Sequence, residues 1–324
     1  MDQQQFITAF QGNYERASLY FSNSFDRQLL ISLACKYTLA NKTFSGVALE
    51  NICAEIDNAK SREFSFQLGS PSSYKLAAYL QDEKDIQQAI QHLIDNDKIL
   101  KSNKFKSNHY RVLASLFLQD DRNLHAKRAK QLFDEMNGHQ PFLTSNEDIP
   151  YVVLLTREEN DIVQQAKTMV QYYKELNKHQ FQMGNHLQAL AQILTIYSID
   201  YSDTLSQYVV KLRDELVDNG VKVKKYHYPF LGLLALAATD DYKINEIVTL
   251  HTELCTLKAF KQAKDYALIV AIQKVIRDLL ELQSLVDLSN ASKLDMLVEV
   301  AEIGIDIFSI FPSGVGSIIG DLFN

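Results

Sequence analysis

Residues 163–176 read VQQAKTMVQYYKEL, and this stretch indicates how the whole chain folds. Its apolar side chains recur at steps of three and four, which places them on one face of an α-helix. Residues 129–136, 209–216 and 244–254 repeat the same spacing. The sequence therefore predicts a series of amphipathic helices, each with one apolar stripe to bury.

An acidic residue followed by an apolar one ends each of these helices, and the pair recurs at spacings of 40, 40 and 38 residues. The four pairs are Glu135-Met136, Glu175-Leu176, Glu215-Leu216 and Glu253-Leu254. A fixed period of this size is typical of stacked helical hairpins. The glutamates could form an acidic ladder, but exposed positions beside a packed apolar residue explain them better.

A second set of segments is apolar on nearly every side, which indicates helices sandwiched between neighbours. These segments span 74–80, 110–118, 151–155, 187–196, 230–238 and 266–276. Polar breaks rich in Asp and Asn follow them. The side-chain oxygens of such residues accept hydrogen bonds from the unpaired backbone N–H groups at the start of the next helix. About five hairpins with a period of about 36–43 residues are expected.

Each amphipathic helix is followed by a short loop in which one apolar residue is predicted to anchor the turn. The four anchors are Phe142, Phe181, Val221 and Phe260. Gly138, Gly184 and Gly220 lie in or near these loops, where a left-handed helix stop favours glycine.

The predicted fold class is all-α, a right-handed-type helical-hairpin array (α-solenoid) with capping helices at both ends. With only 11 Gly and 5 Pro in 324 residues, the chain lacks the turns of a strand-rich fold. We expect an N-terminal helical cap over 1–70, repeats over 71–285 and an apolar tail over 286–324. A cap over the last repeat is preferred for residues 294–324, with membrane association or partner binding as alternatives.

Composition and motifs point to no particular chemistry. The net charge is −7, and the start MDQQQFITAF has no basic or long apolar run, so a cytoplasmic location is expected. Three cysteines without CxxC spacing predict buried thiols, and no metal ligand set, cofactor motif or catalytic motif is found. His251 and Cys255 could form a thiolate–imidazole couple, but no third group orients them. An enzyme remains the third choice.

A basic stretch is the one strong charge asymmetry. Residues 98–130 carry nine cations and two aspartates, a charge of +7, while the rest of the chain carries −14. Candidate contacts with an anion or nucleic acid are Lys101, Lys104, Phe105, Lys106, Lys127 and Arg128, with Phe105 and Tyr110 suited to stacking on bases. Ordinary solvated charges are the simpler explanation. Lys224 and Tyr226 form a second candidate surface, equally well explained as part of a loop.

Several blocks together resemble a family of uncharacterised proteins from low-GC Gram-positive bacteria. The blocks are HQPFLTS at 139–145, EDIPYVVLL at 147–155, Gly184-Asn185 with Leu187-Gln188, and YHYPFLGLLAL at 226–236. The resemblance covers roughly residues 5–285, while the tail departs from it. It implies a cytosolic helical protein and supplies no catalytic residue.

The 139–155 block admits two interpretations. As a structural linker, Thr144 and Ser145 cap helices, and Asp148 precedes a helix started by a proline. As a ligand-contacting loop, it would present Phe142, Thr144 and Asp148. The leading hypothesis for the whole chain is a non-enzymatic scaffold whose long concave groove grips a protein or peptide. The alternatives are anion or nucleic-acid binding through 98–130, and a peptide-sensing regulator.

Overall fold

A computed structural model of the chain describes residues 1–21, 26–62, 70–119, 121–196, 198–237 and 243–283. Within these ranges the chain forms α-helices, three short 3₁₀ turns and no strand. The helices are α1 (Gln3–Tyr20), α2 (Arg27–Leu39), α3 (Gly46–Arg62), α4 (Ser70–Leu80), α5 (Ile86–Ser102), α6 (His109–Ser115), α7 (Arg122–His139), α8 (Ile149–Leu155), α9 (Ile162–Lys178), α10 (Asn185–Ile193), α11 (Asp203–Asp218), α12 (Tyr228–Ala237), α13 (Ile244–Thr256) and α14 (Lys264–Gln283). The all-α prediction is confirmed.

Two kinds of helix alternate, as the apolar spacing predicts. The even-numbered helices, called the inner helices here, are buried over most of their length, and every residue of α8 and α12 is buried. The odd-numbered helices, called the outer helices, bury one face; α9 buries Ala166, Met169, Tyr172 and Leu176 on that face. Burying each such side chain contributes about 1.5–3 kcal/mol, which makes this packing the main source of stability.

Four helices end in the same hydrogen-bonded stop. After α2, α5, α9 and α11 the residue at the stop has positive φ: Asn41, Lys104, Gln180 and Gly220. In the last three cases the next residue is apolar and buried, and its amide donates to the carbonyl five residues earlier, as Phe181 does to Leu176 at 3.2 Å. This pattern is the Schellman motif, in which a buried contact accompanies the left-handed residue.

The predicted loop anchors are therefore right in three places and wrong in one. Phe181, Val221 and Phe260 are buried, whereas Phe142 is 99% exposed. The chain leaves α7 differently: Gln140 donates to Met136, and no residue between α7 and α8 has positive φ. The glycine expectation holds only for Gly220.

The inner helices pack side by side in the order α6, α8, α10, α12, α14, α2 and α4. Val112 of α6 lies in one apolar cluster with Leu76 and Ala77 of α4, to which Ile90 and Leu93 of α5 also belong. The outer helices from α3 to α13 contact one another in chain order.

The first helices meet the last described helix through specific side-chain contacts. The Phe10 ring of α1 stacks on Phe260 at 5.3 Å, and the Cys35 thiol donates to Gln273 of α14 at 3.2 Å. Lys274 donates to the Met1 carbonyl oxygen at 2.9 Å. The sequence predicts an elongated or curved array with an N-terminal helical cap over 1–70, and within that stretch α1 and α2 contact the region of α14.

The predicted C-terminal tail, 286–324, lies outside the described residues. Among the helices within the described ranges, none combines the length and the apolar character needed to cross a membrane.

End-to-end packing predicts energetic coupling between the two ends. Phe10→Ala and Phe260→Ala should each cost about 3–5 kcal/mol of unfolding free energy, because both rings are fully buried. The double variant should cost about 1 kcal/mol less than the sum, since the ring pair is lost only once. Urea unfolding of the three variants measures this.

The control is Phe10→Ala combined with Phe181→Ala, two buried rings on different elements, whose effects should add within about 0.5 kcal/mol. If alanine unfolds the chain, Phe→Leu at the same positions serves instead. Strict additivity of the Phe10 and Phe260 changes would contradict end-to-end packing.

Candidate functional site

The loop between α7 and α8 lacks the repeated helix stop, as does the connection after α13, but only the first of these two leaves its expected anchor exposed. It carries Phe142, whose ring is almost wholly exposed, between Pro141 and Leu143. The loop is nevertheless held in place, because Thr144 donates through both its amide and its hydroxyl to the Gln140 carbonyl at 3.0 and 3.2 Å. A hydrogen-bonded loop thus presents a large aromatic side chain to solvent.

Ser145 and Asp148 close the loop by a reciprocal cap. The Ser145 amide donates to Asp148 Oδ2 at 2.7 Å, and the Glu147 amide donates to Ser145 Oγ at 3.3 Å. Pro150 follows in the first turn of α8, where its missing N–H costs nothing. The structural interpretation is therefore correct for Ser145, which caps the turn before α8, and for Asp148, which directly precedes the helix that Pro150 starts. Thr144 bonds back to Gln140 and caps no helix start. Asp148 is buried, so it is not a surface contact as the loop hypothesis supposed.

One face of α10 lies against this loop and supplies three amide side chains. Asn185 Nδ2 donates to Glu147 Oε2 at 2.6 Å, and Gln192 Nε2 donates to Asp148 Oδ1 at 2.6 Å. Between them, Gln188 Nε2 lies 3.5 Å from Thr144 Oγ1. The spacing 185, 188, 192 is the i, i+3, i+7 stripe that places all three side chains toward one neighbour.

Tyr110 of α6 completes the group, because its hydroxyl hydrogen-bonds to the Glu147 carboxylate. Burial raises the pKa of Glu147, and the bonds from Asn185 and Tyr110 offset part of that rise. Burial also raises the pKa of Asp148 to about 7, against the stabilising bonds from Ser145 and Gln192. Charging either carboxylate is therefore unfavourable in this environment.

We call the group formed by these side chains the acceptor recess: Tyr110, Glu147, Asp148, Asn185, Gln188 and Gln192. Its amide N–H groups already donate to the carboxylates and to Thr144, while Gln188 Oε1 and Gln192 Oε1 are buried with no hydrogen-bond partner. No ion pair between described residues involves Glu147 or Asp148. The recess therefore has an excess of hydrogen-bond acceptors, and no basic side chain of the described residues balances its two carboxyl groups. Glu147, Asn185 and Thr144 are half-buried and connect it to solvent.

Sequence reasoning singled out Thr144 and Asp148 but missed the amide partners on α10. The spacing of Asn185, Gln188 and Gln192 within an apolar segment was the available signal. A polar stripe on a helix that is otherwise buried needs a polar neighbour, since unpaired buried groups are costly.

Similar bonds link the neighbouring loops. The Gln182 amide donates to Tyr228 Oη at 3.2 Å, and Tyr226 hydrogen-bonds to Asp265 at the start of α14. Lys224 pairs with the same carboxylate and lies 5.7 Å from the Tyr226 ring. Lys224 and Tyr226 thus join the loop before α12 to α14, as the loop interpretation of this segment predicts.

The basic stretch is only partly exposed. Arg111 is buried and holds Asp97 by two bonds of 2.7 and 2.9 Å. Phe105 is 4% exposed and Tyr110 is buried, so neither can stack on a base as the sequence suggested. Arg128 binds the Glu158 carbonyl and lies 3.8 Å from Glu159. These contacts remove part of the expected anion-binding surface.

Lys98 is exposed and pairs with Asp95. Four further lysines of the stretch are exposed: Lys101, Lys104, Lys106 and Lys127. The Asn103–Asn123 hydrogen bond, 3.2 Å long, joins the end of α5 to the start of α7. Lys101 and Lys104 flank Asn103, and Lys127 lies one turn beyond Asn123, so the bond brings these lysines into one region. No ion pair among described residues involves any of the four.

The remaining candidate residues have structural explanations. Cys255 Sγ lies 3.5 Å from His251 Nε2, but burial raises the thiol pKa and lowers the imidazole pKa, which favours the neutral pair. The four repeated glutamates are half-buried, and Glu175 pairs with Lys178 at 2.7 Å, consistent with structural roles. In the described part of the chain, no group of three or more His, Cys, Asp or Glu side chains is placed to hold a metal ion.

The raised pKa of Asp148 predicts a specific dependence of stability on pH. The folded chain holds this proton more tightly than the unfolded chain. The contribution of Asp148 to the unfolding free energy is therefore greatest below the ordinary pKa of 3.8 and falls as the pH rises to about 7. Asp148→Asn cannot ionise, and Gln192 can turn its free oxygen toward the new amide. From about pH 5 to pH 8 the variant should lose less unfolding free energy than the wild type, by on the order of 2–4 kcal/mol.

Urea unfolding at several pH values measures this difference. Asp218→Asn, at an exposed carboxylate on α11, should follow the wild-type curve. Parallel curves for Asp148→Asn and the wild type would show that Asp148 is not a strained buried carboxylate.

Comparison with known proteins places the chain in a family. It is 22% identical over 286 residues to the uncharacterized protein YeaA of Bacillus subtilis (strain 168), which covers 85% of this chain and 84% of that protein. No solved structure matches. Residues 13–302 match the family described as "Protein of unknown function (DUF4003)". Since that match spans most of the chain, the protein belongs to the DUF4003 family.

Proposed function

We propose that the protein is a non-enzymatic binding protein that grips a protein or peptide at the loop between α7 and α8. Phe142 is the observation that carries this proposal. In the other loops that were expected to carry an anchor, the apolar residue is buried against its own helices. In this loop the largest apolar side chain points to solvent. A partner that covers it would bury an aromatic ring, the type of residue enriched in binding hot spots.

The hydrogen bonds of the loop support the same proposal. Thr144, Ser145 and Asp148 hold the backbone on either side of the exposed ring. A loop ordered before binding loses little conformational entropy when a partner arrives. Met183, in the next loop, is also strongly exposed, and Asn185 just after it bonds to Glu147. Two exposed apolar side chains therefore lie in adjoining loops.

Three finer points belong to the proposal. The hairpins are proposed to follow a right-handed solenoid rotation up to the point where the ends meet. A cytoplasmic location, and an origin in low-GC Gram-positive bacteria, fit the Bacillus relative. A peptide-sensing regulator is a variant of the same function, since it would use the same peptide-binding loop.

The test is peptide selection followed by measured affinity. Peptides selected from a displayed random library on the wild-type protein should bind Phe142→Ala about 30-fold more weakly, since truncating an aromatic anchor costs about 2 kcal/mol. Fluorescence anisotropy with the synthesised peptides measures the loss. The unfolding free energy of the variant should stay within about 0.5 kcal/mol of the wild type, because the ring is exposed.

Leu124→Ala, which truncates an exposed apolar side chain at the start of α7, is the matched control and should leave affinity unchanged. Selected peptides that bind Phe142→Ala and wild type equally, or a selection that returns no peptide, would refute the proposal.

The exposed lysines favour a second candidate, binding of a nucleic acid or another polyanion. Lys101, Lys104 and Lys127 lie around the Asn103–Asn123 bond with no carboxylate partner among the described residues. Because no aromatic ring is exposed beside them, binding would be electrostatic and would carry little sequence preference.

Charge reversal tests this candidate. A fluorescent single-stranded oligonucleotide should bind with an affinity that falls steeply with salt, and reversing Lys101, Lys104 and Lys127 to Glu should reduce the salt slope by about 2. Reversal of Lys167, Lys174 and Lys222, three exposed lysines elsewhere, is the control of equal charge. Equal losses of oligonucleotide affinity in both triple variants would contradict a specific site and would indicate a general effect of net charge.

A further inference from the structure

We propose that the acceptor recess binds the cationic head of a basic group on the partner, with an arginine guanidinium fitting best. The inference rests on the proposed function, because the loop that carries Phe142 also supplies Glu147 and Asp148. It adds the chemical class of the group that is recognised.

The side-chain amides of the recess direct N–H groups to partners within the protein. Asn185 and Gln192 each donate one N–H to a carboxylate at 2.6 Å, and Gln188 directs its N–H toward Thr144. Gln192 Nε2 also lies 4.0 Å from Met136 Sδ. Each of the three amides thus turns at least one N–H to a partner within the protein. What the recess mainly offers to a ligand is acceptors, so the ligand must bring several donors.

Two amide oxygens of the recess also lack a hydrogen-bond donor. Gln188 Oε1 and Gln192 Oε1 have no hydrogen-bond partner, and these side chains are 2% and 0% exposed. Leaving such a group unpaired is unfavourable. Both lie on the stripe of α10 that faces Glu147 and Asp148. A ligand with several N–H groups would supply the missing donors, beginning at the half-buried Glu147 and reaching inward to Gln188.

The two carboxyl groups of the recess also favour a cationic ligand. Two adjacent carboxylates share the recess, and no Lys or Arg of the described residues pairs with either. Elsewhere in this protein a buried carboxylate has its cation: Arg111 holds Asp97 with two bonds. The carboxyl groups of the recess have no such cation among the described residues. Desolvated carboxylates attract a cation more strongly than exposed ones, because little water screens them.

The geometry favours an organic cation over a metal ion. Calcium takes six to eight oxygen ligands, whereas here both oxygens of Asp148 and one oxygen of Glu147 already accept hydrogen bonds. A guanidinium has five N–H donors in a plane, suits carboxylates and amide oxygens, and packs on aromatic rings. Phe142, five residues before Glu147 on the same loop, is an exposed ring of that kind.

The experiment uses three blocked amino acids as probes: N-acetyl-arginine methylamide, its lysine counterpart and its citrulline counterpart, which has the shape of arginine without the charge. Titrations followed by NMR should show saturable binding of the arginine probe, weaker binding of the lysine probe and none of the citrulline probe. Glu147→Gln should weaken arginine binding at least tenfold. Gln188→Met, which removes one free oxygen and keeps an unbranched side chain, should weaken it several-fold. Asp218→Asn should have no effect.

Equal binding of arginine and citrulline, or saturation by calcium and not by arginine, would overturn the inference. The two proposals can fail separately. Selected peptides that need Phe142 but bind Glu147→Gln as well as wild type would leave the proposed function standing and sink the cation site. Arginine binding that needs Glu147, without any peptide that needs Phe142, would support the cation site alone.

Discussion

The whole architecture depends on one constraint: the inner helices are buried over most of their length, so neighbours must cover them. Every residue of α8 and α12 is buried, which leaves neither helix able to face solvent. Within the array, adjacent hairpins provide the cover. At its ends the same need brings α1 and α2 against α14, through the Phe10–Phe260 stack and the Cys35–Gln273 bond. Burial of apolar area supplies most of the favourable free energy of folding.

This packing also creates the candidate site. The connections that precede successive inner helices adjoin, as the bonds from Tyr110 and Asn185 to Glu147 demonstrate. Polar groups at helix starts can therefore meet across three different hairpins. The acceptor recess forms where α6, α8 and α10 begin, beside the one loop between α7 and α8 that leaves its aromatic residue uncovered. Packing dictated by apolar side chains thus gathers polar residues that are far apart in the sequence.

The sequence predicted the local structure well, because helix type follows from the spacing of apolar side chains. The stripe ending at Leu176 and the apolar segment at 230–237 both became the helices expected of them. End-to-end contact could not be foreseen, since it depends on small rotations between hairpins that no short stretch encodes. The exposure of Phe142 could not be foreseen either. The distance of Phe142 from the preceding helix resembles that of Phe181. The two loops differ in the helix stop, because α9 ends with a left-handed residue and α7 does not.

The candidate site was predicted in part. Thr144 and Asp148 were singled out from their loop, but their partners lie 44 residues away on α10. The basic stretch shows a different limit. Nine cations close in sequence raised an anion-binding surface as the alternative to ordinary solvated charges, and Arg111 is internal and Phe105 is buried. Local charge counts do not reveal which side chains a helix turns inward.

Distance measurement between spin labels tests the central claim most directly. Gln11 of α1 and Lys258, just after α13, line the same cleft, so labels at Gln11→Cys and Lys258→Cys report on the meeting of the two ends. Cys35, Cys53 and Cys255 are replaced beforehand to leave only the two labels. The account predicts a single short and narrow distance distribution. A long, broad distribution in the folded protein would contradict it, because that result would mean an open array with separated ends.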